Sequence, residues 1–184
     1  MINYGLPTEI TIDGKAYPIT NNGDYRLVLD VIAALTDTEL PEHKRAGVAL
    51  NLFYNFDLPD NIEAAYAEMT KFINAGEKEK NAPKKKPLMS WEHDFPVIVP
   101  AINKALGCEV RAVSYLHWWT FLSGYMEIGE GSVFSTIVNI RRKLRDSVKL
   151  EKHERAFLNA NRDLVNIPVA LTDDDKDFLA GENE

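Results

Sequence analysis

Cysteine and long apolar runs are scarce in this chain of 184 residues. Its one cysteine, Cys108, allows neither an internal disulfide nor a metal site built from several thiolates, which is typical of a reducing compartment. No apolar run approaches the ~18 residues that a membrane-spanning helix needs, and the first residues lack the basic and apolar segments of a secretion signal. We therefore expect a protein of the cytoplasm that has no membrane partner.

Positive charge is also in short supply. Lysine and arginine number 21 against 28 aspartates and glutamates, and the resulting net charge of -7 disfavours general binding to nucleic acid. The segment 141–155 departs from this balance, with a net charge of +4. Its basic residues are Arg141, Arg142, Lys143, Arg145, Lys149, Lys152 and Arg155. Two interpretations stay open: the segment attracts an acidic partner, including a second copy of the chain, or it is an ordinary solvated helix face.

The pattern of apolar residues predicts a mainly α fold, a bundle of about six helices with a small N-terminal β-hairpin. Alternation on both sides of Asp13-Gly14 indicates the hairpin at residues 9–19. Helical spacing of apolar residues follows in 24–36, 41–58, 60–75, 90–106, 114–126, 132–144 and 150–164. In the second of these segments Phe53 and Phe56 are assigned to the apolar face. Ser90 and Ser132 are the expected N-terminal caps of the segments that they begin.

A lysine-rich segment divides the chain into two predicted lobes. Residues 77–89 contain Pro83 and Pro87 and show no apolar period, so we interpret them as a linker or loop. This places an N-terminal lobe at 1–76 and a C-terminal helical lobe at 90–167, followed by an acidic tail at 168–184.

The residue types that carry chemistry do not form a recognisable catalytic or metal-binding pattern. The histidines are His43, His93, His117 and His153, and no two have the i, i+4 spacing of a zinc-binding helix. Ser123 lacks the glycine that leads a nucleophile elbow, and Gly129-Glu130-Gly131-Ser132 lacks the rest of a phosphate-binding loop. We expect no enzyme, no cofactor and no metal. His117, beside two tryptophans, is interpreted as a core histidine bonded to backbone, with tuned proton transfer as the alternative.

Several sequence runs together resemble one family. They are His117–Leu122 (HWWTFL), Met126–Glu130, Ile137–Lys143, Lys149–Arg155 and, upstream, Trp91–Asp94. The combination of tandem tryptophans with the basic run resembles the bacteriophage gene-product-fifteen family over most of residues 7–165. Members are small tail-assembly proteins of tailed phages and prophages.

This resemblance implies a role in building a phage tail and offers no catalytic residues to carry over. It implies a tail assembly chaperone in the cytoplasm of the bacterial host, whose partner is the tape measure protein, a companion chaperone or the tail tube protein. The alternatives are a structural component of the tail and a small nucleic-acid-binding regulator that uses 141–155. Homo-oligomers are also possible. The residues predicted to contact a partner are His117, Trp118, Trp119, Arg141, Arg142, Lys143 and Arg145, although the tryptophans are equally compatible with the core.

Overall fold

The computed structural model describes residues 5–76 and 86–168 of the chain. Within these ranges the backbone forms a two-stranded antiparallel sheet and eight α-helices. They are β1 (Glu9–Ile12), β2 (Lys15–Pro18), α1 (Tyr25–Thr36), α2 (Glu42–Phe53), α3 (Ile62–Ile73), α4 (Trp91–Leu106), α5 (Trp118–Met126), α6 (Val133–Arg145), α7 (Lys152–Ala160) and α8 (Arg162–Val165). The predicted fold class is confirmed. The seven predicted helical segments become eight helices because the last segment breaks at Asn161 into α7 and α8.

The N-terminal hairpin forms where the alternation predicts it. Ile12 pairs with Lys15 across a two-residue turn in which both Asp13 and Gly14 have positive φ, at 50° and 81°. Such a turn matches the natural twist of the two strands. Ile10, Ile12 and Tyr17 are buried, so the hairpin docks on the helices through one face.

The first three helices follow the predicted segments, but α2 is shorter than expected. It ends at Phe53, and the backbone then enters the left-handed region at Asn55 and Phe56, with φ of 50° and 65°. The assignment of Phe56 to the apolar face of this helix is therefore wrong. The turn leaves its side chain 76% exposed in the loop before α3.

Helices α4 and α6 begin at the serines that the sequence indicates as caps. The Ser90 hydroxyl accepts a hydrogen bond from the backbone N–H of His93, and the Ser132 hydroxyl accepts one from Ser135. α4 ends at Gly107, in a left-handed conformation with φ of 71°. α5, in contrast, begins at Trp118 rather than near Ser114, because its cap is His117.

One apolar core contains residues from both predicted lobes. Tyr25 of α1 stacks on Phe121 of α5 with ring centroids 4.4 Å apart, and Trp91 of α4 meets Trp118 of α5 edge to face. A smaller cluster ties α6 to α8 and contains Ile137, Ile140 and Val165. No helix in the described part of the chain is long and apolar enough to cross a membrane.

Candidate functional site

His117 joins the start of α5 to the N-terminal segment. Its Nδ1 accepts a hydrogen bond from the backbone N–H of Trp119 at 3.0 Å, which caps the helix. With Nδ1 accepting, Nε2 carries the proton and donates to the carbonyl of Pro7, also at 3.0 Å. Both ring nitrogens are thus occupied by backbone groups. This confirms the interpretation of His117 as a core histidine.

The two tryptophans fasten the start of α5 to the end of α3. The indole N–H of Trp118 donates to the carbonyl of Ile73 at 2.8 Å, and that of Trp119 donates to the carbonyl of Phe72 at 2.9 Å. Carbonyls in the last turn of a helix have no partner within that helix. Trp118 therefore gives the Ile73 carbonyl a partner, Trp119 adds a second donor to the Phe72 carbonyl beside the N–H of Ala75, and the tandem links α3 to α5.

Asp24 ties the start of α1 to the same junction. Its carboxylate accepts from the backbone N–H of Leu116 at 2.9 Å and from that of Arg26 at 3.0 Å. The preceding Gly23 has φ of 73°, and a Cβ there would lie 2.7 Å from Cζ of Phe72. A residue without a side chain is required at this position both by the backbone angle and by the space available.

The junction is a part of the core. His117 and Trp118 are each 1% exposed, and Trp119 is half-buried. The alternative that the sequence leaves open for Trp118 is resolved in favour of the core, because its ring packs on Trp91 and Phe121. Buried side chains of this kind present no surface to a partner in the folded chain. Of His117, Trp118 and Trp119, only Trp119 has accessible area.

Arg141, another predicted contact residue, is buried as well. Its guanidinium forms a bidentate pair with the carboxylate of Asp94, at 2.6 Å and 2.8 Å. The remaining donors reach the carbonyls of Leu88, Leu164 and Val165. Since a planar guanidinium with all its donors used is a rigid clamp, Arg141 holds α6, α8 and the start of α4 together.

The other predicted basic contacts differ in how available they are. Lys143 donates to Glu154 at 2.6 Å, and Arg145 pairs with its neighbour Asp146 at 3.0 Å. Arg142 points to solvent and forms no ion pair with any residue of the described ranges. The segment 141–155 is therefore less basic at its surface than its composition indicates. Of the predicted basic contact residues, Arg142 has the charge that is most accessible to a partner.

The carboxyl group of Glu154 makes the stability of the fold depend on pH in the acid range. The ammonium of Lys143, followed by the backbone N–H of Glu151, lowers the pKa of the Glu154 carboxyl below its ordinary value of 4.5. A carboxyl whose pKa is lower in the folded state stabilises the fold above its unfolded pKa, and this contribution is lost as the pH falls through the folded pKa. We expect Glu154→Gln to lower the free energy of unfolding at neutral pH, with the deficit shrinking below about pH 4.5.

Urea unfolding at a series of pH values measures this effect. The matched control is Glu92→Gln, which changes an exposed glutamate in the first turn of α4. A deficit for Glu154→Gln that stays the same at neutral and acid pH would contradict the assignment of the ion pair.

An open groove lies beside α4, between its outer face and the connection from α5 to α6. Its volume is about 660 Å³. The α4 side is lined by short side chains, namely Pro96, Val97, Pro100, Ala101 and Ala105. Ile128 and Val133 line the opposite side, with charges at Lys104, Glu127 and Glu130. Pro100 has no N–H, so the helical hydrogen bond to the Pro96 carbonyl is missing at the edge of this groove.

His117, Trp118 and Arg141 of the shared runs thus hold the helices together, while Trp119 and Arg142 keep accessible area. A family model described as Bacteriophage Gp15 protein matches residues 2–167. The chain belongs to this bacteriophage family, as the resemblance implies. No curated protein and no solved structure matches the chain.

The sequence does not reveal which residues of the chain the tandem tryptophans and Arg141 contact. Asp94 was visible as an acidic residue in the first turn of α4, but nothing marked it as the counter-ion of Arg141, 47 residues away. The groove beside α4 was equally hidden, because its two walls come from separate segments. The prolines at 96 and 100 were the available signal, since two prolines spaced by one helical turn mark one side of a helix.

Proposed function

We propose that this protein is a tail assembly chaperone of a bacteriophage, which acts by binding and not by catalysis in the cytoplasm of the host. Its partner in this proposal is the tape measure protein. The family assignment supports a phage protein. The observation that carries the finer proposal is the open groove beside α4, lined by short apolar side chains.

A groove of this shape suits an amphipathic helix. Small residues on the groove floor allow the backbone of a second helix to approach closely, while apolar anchors spaced by three or four residues fill the space between the walls. The apolar side of such a helix promotes aggregation when it is exposed to water, so covering it keeps the partner in solution. The charged residues at Lys104, Glu127 and Glu130 can pair with the polar side of such a helix.

Co-expression with the tape measure protein of the same phage tests this proposal. The wild-type chain is expected to raise the soluble fraction of the tape measure protein. Ala105→Arg should abolish the gain, because it places a long charged side chain in the groove from an exposed helical position. Ala33→Arg is the matched control, since Ala33 is an exposed alanine of α1 that does not line the groove.

The outcome is decisive for the partner and for the site. An unchanged soluble fraction, with both proteins folded, counts against the tape measure protein, and the same assay then applies to a companion chaperone or the tail tube protein. Equal activity of Ala105→Arg and Ala33→Arg would reject the groove. Mass spectrometry of purified virions separates a chaperone from a structural tail component, which stays in the particle.

A nucleic-acid-binding regulator receives less support. The segment 141–155 offers nucleic acid fewer basic side chains than its composition indicates, since Arg141 and Lys143 are ion-paired with Asp94 and Glu154, and the chain carries a net charge of -7. A DNA-binding regulator would show a steep decrease of affinity with salt in a gel-shift titration.

A further inference from the structure

Apolar and acidic side chains lie together on the surface where α2 joins α3. We call this the α2–α3 surface and define it by Phe56, Asp57, Asp60, Ile62, Glu63 and Tyr66. Ile62 and Tyr66 are one turn apart on the same side of α3, and both are exposed. Its three carboxylates form no ion pair with the described residues. The surface is therefore apolar with uncompensated negative charge.

Phe56 adds an unusual conformation to this exposure. Its φ of 65° is a backbone conformation that favours glycine, and its N–H closes the end of α2 on the carbonyl of Asn51 at 3.0 Å. The ring is 76% exposed, so packing does not offset the strain. A bulky aromatic residue held in this way costs stability, which points to a role outside the folding of the monomer.

A second surface has the opposite charge. We call it the α6–α7 surface and define it by Leu144, Val148, Lys149, Lys152 and Arg155. Leu144 and Val148 are exposed at the end of α6. Its three basic residues are exposed too, and none pairs with a carboxylate in residues 5–76 or 86–168. Apolar contact and positive charge are thus available together.

We propose that the α2–α3 surface of one copy docks on the α6–α7 surface of a second copy. Each surface carries exposed apolar side chains, and the unpaired charges of the two surfaces are opposite in sign. Attraction between them favours contact of unlike surfaces, and repulsion disfavours contact between two α2–α3 surfaces or two α6–α7 surfaces. The two surfaces are at different places, since α2 and α3 pack against α1 and β1, while α6 packs against α4 and α8. The contact is therefore head-to-tail, and a docked pair leaves one surface of each kind free for further copies.

This inference goes beyond the proposed function and does not depend on it. If the protein does cover an extended partner, contacts between neighbouring copies add avidity along that partner. Six residues on one side and five on the other are fewer than the roughly 20 to 30 of a standard interface, so the chain alone should associate weakly.

Sedimentation velocity of the full-length chain over a range of concentrations tests the contact. The wild type is expected to associate with concentration, and less at high salt because the charges are exposed. Asp57→Lys/Glu63→Lys and Lys149→Glu/Lys152→Glu should each weaken association at least about tenfold when studied alone. An equimolar mixture should associate again, because the unchanged basic surface of the first variant meets the unchanged acidic surface of the second.

Two further variants separate the contact from a loss of folding. Phe56→Gly relieves the left-handed strain, so its melting temperature should equal or exceed that of the wild type while association weakens. Met126→Ala is the matched control, since Met126 is also 76% exposed and belongs to neither surface. Its association should equal that of the wild type.

The results that overturn the proposal are distinct. A wild-type chain that is monomeric at every concentration rejects it, as does normal association of either charge-reversed variant alone. Asp173→Asn/Asp174→Asn/Asp175→Asn changes the acidic tail, which lies outside the described residues. This variant should associate like the wild type, and its failure to do so would make the tail the acidic element in place of the α2–α3 surface. None of these measurements uses the tape measure protein, so they are independent of the co-expression result.

Discussion

Replacing Trp118 with alanine should lower the free energy of unfolding by about 3 to 5 kcal/mol. The side chain is 1% exposed and packs on Trp91 and Phe121, so its removal leaves a large cavity. The substitution also removes the donor to the Ile73 carbonyl. Urea unfolding followed by circular dichroism measures the change without relying on tryptophan fluorescence.

Trp118→Phe keeps the experiment informative if Trp118→Ala does not fold. It retains an aromatic ring and removes the indole N–H, so the Ile73 carbonyl loses its partner at a cost of about 1 to 3 kcal/mol. Trp119→Ala is the control within the motif, because Trp119 is half-buried and should contribute less. Near-wild-type stability of Trp118→Ala would show that the residue does not belong to the core.

Removing the guanidinium of Arg141 should cost about 3 to 5 kcal/mol, because the carboxylate of Asp94 is then buried without its counter-ion. Arg141→Leu is the direct test. Its neighbour Arg142 provides a matched control, since Arg142→Leu changes an exposed arginine of the same helix and should shift stability by only about 0.5 kcal/mol or less.

A double-mutant cycle distinguishes the ion pair from general packing. In Arg141→Leu/Asp94→Leu no charge is left buried, so the double variant should be more stable than the sum of the two single losses predicts. Strict additivity of the single effects, measured by urea unfolding, would contradict the pairing. Arg141 joins α6, α8 and the start of α4, so the urea unfolding curves of these variants also test whether those three segments unfold together with the rest of the molecule.

The boundary of α2 shows where reading the sequence reaches its limit. Phe56 continues the apolar spacing of that helix, and only the left-handed backbone at residues 55 and 56 places it in solvent. Spacing describes which side of a regular helix a residue would occupy, but it does not indicate where the helix stops. At Ser90 and Ser132 the prediction succeeded, because a serine cap is a local signal that acts within three residues.

The predicted contact residues illustrate the same limit for function. The tandem tryptophans and the basic run identify the family, yet they do not show whether a side chain is inside or outside. Trp118 and Arg141 are both buried, while Arg142, next in the chain, is exposed. Successive helical positions point about 100° apart, so neighbours in one motif have different environments.

The amino-acid sequence by itself determined the helical class, the N-terminal hairpin, the serine caps and membership of a bacteriophage family, because these depend on local patterns. Tertiary structure alone decided that Trp118 closes the end of α3 and that Arg141 meets Asp94 across 47 positions of chain. It also formed the groove beside α4 from two separate segments of the chain. Such pairings follow from how distant segments pack, and neither composition nor spacing records which segments will meet.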